Sequence, residues 1–194
     1  MKKFGDVLVG VLPWLMATLM IGGIVHIVSI LAMPRLAPSN SFARIAALTP
    51  LHQMIMLPPT TPQRSFAPFE DPAMALAACR YDLADGALRL RATLSADDLM
   101  LLSFHGRDGR AYYSMTDRGA AHGKLDVLIL TQPQLDEVEA NDNEDELPQD
   151  LRIVAPDREG FVLLRALAER PGDFADAQAR IAAVTCASER EPQS

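Results

Sequence analysis

The first part of the chain is a continuous run of apolar positions. Between Val7 and Met33 there are 27 consecutive residues without Asp, Glu, Lys or Arg. A helix of that length rises roughly 40 Å, which exceeds the hydrocarbon thickness of about 30 Å. The apolar stretch of a cleavable signal peptide is about half as long. The pattern therefore predicts an uncleaved transmembrane helix over residues 7–33.

Charged residues flank this segment on both sides. Lys2 and Lys3 precede it, and Arg35 and Arg44 follow it. The two adjacent lysines lie close to the membrane in a short tail, residues 1–6, whereas the bulk of the chain follows the helix. The positive-inside rule then favours a cytoplasmic N-terminus and an outer C-terminal domain.

Proline dominates the next segment. Residues 34–72 hold eight of the fourteen prolines. Such density interrupts helices and strand ladders, so we expect an extended linker with one short helix over residues 41–48. The apolar run 54–57 is suited either to packing on the domain or to touching the membrane surface.

Beyond Asp71 apolar and polar residues alternate with a period of two, which is typical of half-buried strands. The turn signal Asp85-Gly86 predicts a hairpin of strands 79–83 and 88–94. The turn at residues 106–109 predicts a second hairpin. The expected strands are 79–83, 88–94, 100–105, 111–116, 125–131, 151–155 and 161–167. Seven strands predict a mainly β domain, a sandwich or partly open barrel.

The spacing of apolar residues changes near the end of the chain. Phe174, Ala177, Ile181 and Val184 recur at helical spacing after a Pro-Gly-Asp start. We therefore expect a C-terminal α-helix that completes a β domain over residues 73–187. Residues 188–194 are expected to form a disordered tail.

Charge excludes one class of function. The net charge is -7 and the chain has only three lysines, whereas nucleic-acid binding needs clustered basic residues. The acidic segment 136–150 holds eight carboxylates and no basic residue. We expect a solvated loop there; a weak cation site and a docking surface for a basic partner are the alternatives. The spacing of an EF-hand is absent.

Residues that bear catalytic or metal chemistry are few. Two predicted strands and their turns carry four residues of types that bind metals, and these could together coordinate a metal ion. They are His105, His122, Asp108 and Asp117. No metal-binding spacing supports that reading, so we expect neither a metal nor a cofactor. Ser103 and Ser114 lack the sequence context of a nucleophile, so we interpret them as ordinary strand residues. The sequence assigns no catalytic residue.

Two cysteines, Cys79 and Cys186, both follow the transmembrane segment. We place Cys79 at the start of the first strand and Cys186 at the end of the last helix. In an oxidising compartment they could form a disulfide that joins the two ends of the domain. Two buried thiols are the alternative.

Blocks of residues resemble a bacterial family known as domain of unknown function 1254, in its short membrane-anchored form. The blocks are Cys-Arg-Tyr-Asp-Leu at 79–83, Arg-Asp-Gly at 107–109, Tyr-Tyr-Ser-Met-Thr-Asp-Arg-Gly at 112–119, Leu-Pro-Gln-Asp-Leu-Arg at 147–152, and Phe-Val-Leu-Leu-Arg at 161–165 followed by Ala-Gln at 177–178. The resemblance covers roughly residues 75–186. It implies a compact, mainly β domain in the periplasm, anchored in the inner membrane.

The resemblance also implies a partner. Longer relatives join this domain to a second one, domain of unknown function 1214, which this chain lacks. Our first hypothesis is therefore a non-enzymatic envelope protein whose β domain binds a companion protein that carries the missing domain. The alternative is a periplasmic saccharide-binding or hydrolytic domain with a groove lined by Tyr113, Asp117 and Arg118.

Overall fold

The computed structural model describes residues 2–36, 41–61, 70–94, 99–120, 123–142 and 150–189. The chain divides into two compact units, residues 1–40 and residues 41–194. Each unit is described by itself.

The first unit contains one long helix, α1 (Lys2–Leu36). Its segment Gly10–Met33 is long and apolar enough to cross a membrane, with a mean hydropathy of 2.2. Large apolar side chains are exposed along it; for example, Trp14 is 77% exposed and Met20 is 70% exposed. Because apolar side chains on every face are costly in water, this surface suits a lipid environment. The expected N-terminal helix is confirmed as a candidate membrane span.

In its described residues, the second unit contains two β-sheets and three α-helices. The first sheet has the order β1 (Met54–Met56), β2 (Met74–Asp82), β8 (Glu159–Leu167), β4 (Met100–Gly106) and β5 (Ala111–Thr116). The second has the order β7 (Leu151–Val154), β6 (Lys124–Leu130), β3 (Ala87–Thr93) and β9 (Thr185–Glu189). The helices are α2 (Ser41–Leu48), α3 (Gln132–Asn141) and α4 (Phe174–Ala182). The mainly β class is confirmed, and the described residues contain nine strands where seven were expected.

Two apolar clusters hold this unit together. The larger contains core-facing residues of both sheets, such as Phe104 and Ile129, together with residues of α4. The smaller lies on the other face of the first sheet, where Ile45 of α2 packs with Phe161 and Leu163 of β8. The first sheet therefore buries both faces, which explains why β2 and β8 have few exposed positions.

One of the two expected hairpins is wrong. β2 pairs with β1 and β8, whereas β3 pairs with β6 and β9, so the two strands lie in different sheets. The chain passes from one sheet to the other through a 3-10 turn over Leu83–Asp85. Gly86 follows this turn with a φ of 118°. The expected hairpin of β4 and β5 is confirmed.

The short helix expected over residues 41–48 is confirmed as α2, whereas the extended conformation expected for the rest of the linker does not hold at β1. These residues belong to the second unit, where α2 and β1 contribute to its packing. Ile45 is fully buried and Leu57 is 3% exposed. Apolar residues between the prolines supply enough buried surface to hold this segment on the sheet. Residues 37–40 and 62–69 of the expected linker lie outside the described part of the chain.

The acidic segment begins as a helix rather than a loop. α3 follows Thr131, whose backbone N–H donates to the side-chain oxygen of Gln134 at 2.9 Å. A proline in its first turn also favours this start. α3 then carries the chain between β6 and β7, which are parallel and require such a crossover. Residues 143–149, which include part of the 147–152 block, lie outside the described residues.

The C-terminal helix is present but is not the last element. α4 ends at Ala182, and β9 follows it beside β3. Residues 188 and 189, expected in a disordered tail, therefore belong to a strand. Their backbone groups pair with those at the edge of β3. The local pattern of apolar and polar residues does not reveal this pairing. Residues 190–194 of the expected tail lie outside the described residues.

Candidate functional site

The three residues predicted to line a groove lie along one edge of the first sheet. Tyr113 is in β5, 40% exposed, with its ring centroid 5.8 Å from that of Phe104. Asp117 and Arg118 are in the 3-10 turn that follows β5. A strand rises about 3.3 Å per residue, so four residues of extended chain separate Tyr113 from Asp117 by roughly 13 Å. Asp117 and Arg118 are adjacent in the turn, whereas Tyr113 lies within the strand, and the three share one edge of the domain.

The best-organised polar cluster lies at one end of the first sheet. The hydroxyl of Tyr81 in β2 is 2.9 Å from the hydroxyl of Tyr112 in β5. Tyr81 also donates to the backbone oxygen of His105 at 3.4 Å. β8 and β4 lie between the two strands that carry these tyrosines. The tyrosine pair therefore bridges four neighbouring strands.

Two glycines make room at this end of the sheet, Gly160 for the tyrosine bridge and Gly106 for the side chain of Asp157. Gly160 of β8 faces Gly106 of β4 in the antiparallel register. A Cβ atom at Gly160 would overlap both the Tyr81 hydroxyl and the His105 backbone oxygen. At Gly106 a Cβ would lie 2.7 Å from Oδ2 of Asp157. Only glycine fits both positions without a shift of these groups.

Burial sets the protonation of the tyrosine pair. It raises the pKa of Tyr81 above its ordinary range and raises the pKa of Tyr112 to about 12. The carboxylate of Asp157 adds to both shifts, because a nearby negative charge opposes phenolate formation. Both hydroxyls are therefore protonated at neutral pH. The pair can hold a hydrogen bond but does not supply a base.

Sequence reasoning missed a serine–histidine contact on the other face of β4. Nδ1 of His105 is 3.0 Å from the backbone oxygen of Gly109, and Nε2 is 3.0 Å from Oγ of Ser103. Because a carbonyl oxygen only accepts, this network assigns the proton to Nδ1 and leaves Nε2 as an acceptor. The spacing Ser-x-His on one strand was the available signal, since alternate residues share a face.

The contact between Ser103 and His105 is part of the packed interior of the domain. Ser103 is only 4% exposed, and its Oγ also lies 3.3 Å from the backbone oxygen of Leu163. The His105 ring stacks on Phe161 with a centroid distance of 4.6 Å. Burial lowers the pKa of His105, which favours the neutral ring. A nucleophilic serine needs access to substrate, which this position restricts.

The three described residues considered for a metal, His105, Asp108 and Asp117, do not assemble into a site. Both ring nitrogens of His105 already have partners, and Oδ1 of Asp108 accepts from the backbone N–H of Arg110 at 2.9 Å. Asp117 lies beyond the far end of β5. His122 is outside the described residues. Within the described ranges, no group of three or more His, Cys, Asp or Glu side chains is placed to hold a metal ion.

Arginine–carboxylate pairs surround the tyrosine end of the first sheet. Arg107 is 3.2 Å from Glu159, and Arg158 is 3.0 Å from Asp82. Both guanidinium groups belong to side chains that are more than half exposed. Exposed pairs of this kind contribute little to stability, so they define the charge pattern of the surface rather than its rigidity.

A denser charge network covers the outer face of the second sheet. Nε of Arg89 is 2.7 Å from Asp126, and its Nη1 is 2.9 Å from Glu189. The Arg89 side chain lowers the pKa of Asp126 through this hydrogen bond. The network spans β6, β3 and β9 and so ties three strands together.

Cys79 and Cys186 form a disulfide with a Cα–Cα distance of 6.6 Å. Cys79 is in β2 of the first sheet, and Cys186 is in β9 of the second. The placement of Cys186 on the last helix was wrong. The bond joins the two sheets across the core rather than a strand to a helix.

A cleft of about 480 Å³ opens at the opposite end of β2 and β8 from the tyrosine pair. Its lining is mostly apolar and includes Phe174, with Glu169 and Arg170 as its charged members. Tyr113, Asp117 and Arg118 do not line it. The cleft adjoins Pro59 and Pro72, between which residues 62–69 lie outside the described part of the chain.

Comparisons with known proteins identify a fold. No family model matches the chain, and no curated protein matches it. The chain is similar to the crystallised VPA0106 protein from Vibrio parahaemolyticus, at 11% identity and a TM-score of 0.51 over 76% of this chain and 34% of that chain. It also matches an uncharacterized protein from Burkholderia cenocepacia, at 18% identity and a TM-score of 0.40, over 60% of this chain and 32% of that one.

The first of these matches shows a shared fold alone. The chain spans about a third of the length of each of the two crystallised proteins. The structure therefore defines a mainly β domain with two sheets, and the first comparison shows that this fold occurs in another protein.

Proposed function

We propose that the protein is a single-pass envelope protein of a bacterium whose β domain is a protein-interaction module. The domain belongs, in this proposal, to the family of domain of unknown function 1254, on the residue blocks that resemble it. Its partner is a companion polypeptide that carries the second domain of the longer relatives, domain of unknown function 1214.

One observation carries this proposal. The fold match covers 76% of this chain but only 34% of the Vibrio protein. In that protein the matched region is one part of a longer chain. Here the same kind of domain is attached to a helix that is apolar enough to span a membrane. A separate polypeptide in the envelope would supply what the longer chain carries in one piece.

The polar clusters support a binding role. The hydroxyls of Tyr81 and Tyr112 bond to each other, and both nitrogens of His105 have partners inside the domain. These groups stabilise the end of the first sheet. A surface that acts by contact needs such a rigid support and no reactive group of its own.

Two features support a periplasmic location for the domain. The disulfide between Cys79 and Cys186 suits an oxidising compartment. Lys2 and Lys3 precede the candidate span, as expected for a cytoplasmic N-terminus. In this proposal α1 is anchored in the inner membrane.

Affinity purification from the host tests the proposal. The full chain with a C-terminal tag is extracted in mild detergent and purified, and α1 fused to an unrelated domain serves as the control. We expect a second polypeptide in near-equal amount, absent from the control, whose fold matches the part of the Vibrio chain that this domain does not cover. Purification of the full chain alone would contradict the proposal, as would tight binding of envelope saccharides by the purified chain.

A further inference from the structure

The strand β9 buries little apolar surface against the rest of the domain. Among the described residues it pairs with β3 and with no other strand. Thr185, Ala187 and Glu189 are exposed, and only Cys186 and Ser188 are partly buried. Strand pairing that is not supported by buried apolar side chains is only marginally stable in water. The backbone pairing with β3 alone is therefore a weak attachment.

The polar side-chain contacts of β9 are at the surface. Glu189, whose side chain is 44% exposed, lies 2.9 Å from Arg89. The hydroxyl of Ser188 donates to the backbone oxygen of Asp85 at 3.0 Å, and that of Thr185 donates to a backbone oxygen of β3 at 3.1 Å. Exposed ion pairs and hydrogen bonds compete with water and contribute little. They do not offset the conformational entropy that a strand loses when it is held in place.

The disulfide is the firm attachment of β9. Cys186 is bonded to Cys79, which is fully buried. β2, which carries Cys79, pairs with β1 on one side and with β8 on the other, so the anchor point is held inside the first sheet. The chain before β9 is held independently, because Ile181 is fully buried and Val184 is 2% exposed. A loosened β9 can therefore separate from the domain at Val184.

We propose that the Cys79–Cys186 disulfide is a redox-controlled lock on β9. Reduction by a dithiol releases β9 from β3, while the two sheets and α4 stay folded. Release leaves β3 paired with β6 only, so the second sheet gains an open edge that the oxidised protein lacks. The lock acts within the β domain and does not depend on the companion protein of the proposed function.

The step is a thiol–disulfide exchange. Cys186 is partly exposed and Cys79 is not, so a thiolate of the dithiol attacks Sγ of Cys186. The Cys79 sulfur leaves as a thiolate and takes up a proton, and a mixed disulfide forms between Cys186 and the reductant. The second thiolate of the dithiol then attacks its partner sulfur in this mixed disulfide, and Cys186 leaves and is protonated. The dithiol becomes a cyclic disulfide, and the protein gains two thiols.

Hydrogen exchange measured by mass spectrometry tests the release. The full chain is kept in mild detergent at neutral pH with and without dithiothreitol, and alkylation of both cysteines after denaturation verifies the reduction. We expect the slowly exchanging amides of residues 185–189 to exchange at least about tenfold faster after reduction. The amides of β6 and β8 should keep their protection.

Two variants separate the disulfide from the other contacts of β9. Cys186→Ser cannot form the bond, so its β9 should exchange rapidly without dithiothreitol and should not respond to it. Glu189→Gln keeps the bond but loses the ion pair to Arg89. Its β9 should stay protected until dithiothreitol is added.

Four results would overturn the proposal. A β9 that stays protected after reduction would show that its other contacts hold it. Loss of protection in β6 and β8 together with β9 would show that reduction unfolds the domain as a whole. Rapid exchange of β9 in oxidised Glu189→Gln would make the ion pair the lock. A disulfide that dithiothreitol does not reduce in the folded chain would leave no switch.

Discussion

The hydroxyl of Tyr81 lies 2.9 Å from the hydroxyl of Tyr112, although two strands separate β2 from β5. The contact passes beside Gly160 of β8. The Tyr81 hydroxyl thus lies where β8 would ordinarily have a Cβ atom. This arrangement fixes the end of the sheet from which β5 begins.

Removal of either hydroxyl should destabilise the domain. We expect Tyr81→Phe and Tyr112→Phe each to lower the free energy of unfolding by about 1 kcal/mol, the net value of one hydrogen bond. Because the two groups bond to each other, the double variant should cost less than the sum of the two. Urea unfolding of the full chain in detergent measures this. Tyr113→Phe is the control with little effect, and strict additivity would contradict the bond.

Gly160→Ala should be the most damaging small substitution at this end of the sheet. Its Cβ would overlap a backbone oxygen as well as the Tyr81 hydroxyl, so the strand must shift. We expect a loss of about 3 kcal/mol or more. Gly172→Ala is the matched control, because nothing lies within 4 Å of its added Cβ. Equal melting temperatures for the two variants would show that the close contact is absent.

Much of the fold could be predicted because the signals were local. The β4–β5 hairpin is set by the turn after Gly106, and the helix at Ser41–Leu48 by its own short apolar face. Pairings between distant residues could not be predicted. The alternation in β3 shows which side chains face the core, but its partners β6 and β9 depend on the packing of the whole domain.

The site was harder to predict than the fold. Tyr81 and Tyr112 are 31 positions apart, and Gly160 leaves the space that the Tyr81 hydroxyl occupies. No spacing rule connects three such residues. The start of α3 could have been recognised, since Thr131 and Gln134 have capping-box spacing, but the acidic composition favoured a loop.

The pH dependence of stability should reveal the neutral state of His105. Burial lowers its pKa in the folded domain from the ordinary value of 6.5. The unfolded chain therefore takes up a proton at a higher pH than the folded one. The stability that neutral His105 contributes is fully present above about pH 7.5. It falls as the pH drops through 6.5 towards the lower pKa of His105 in the folded domain. Denaturation of the full chain between pH 8 and pH 5 measures the slope.

His105→Gln is the control for this slope. Glutamine is neutral throughout and can still bond to Ser103, so the variant should lose the part of the pH dependence that His105 contributes. The paired carboxylates Asp82 and Asp126 have lowered pKa values and lose their contribution only in a more acidic range. If wild type and variant share one slope between pH 8 and pH 5, the histidine is not held neutral.

Loss of the inter-sheet disulfide should weaken the domain strongly. The bond closes a loop with a sequence separation of 107 residues, for which the chain-entropy model gives about 4 to 5 kcal/mol. We expect the Cys79→Ser and Cys186→Ser double variant to lose about 3 kcal/mol or more. Unfolding of the wild type with and without a reductant is the independent check. A reductant that leaves the unfolding midpoint unchanged would show that the bond does not constrain the chain.

Protease treatment of spheroplasts tests most directly whether a membrane helix holds this β domain outside the cytoplasm. The full chain carries a C-terminal tag, and a cytoplasmic protein serves as the lysis control. We expect all of the tagged protein in the membrane fraction, with the tag lost from spheroplasts and retained in intact cells. A tag that survives in spheroplasts until they are lysed, or a chain recovered in the soluble fraction, would contradict the account.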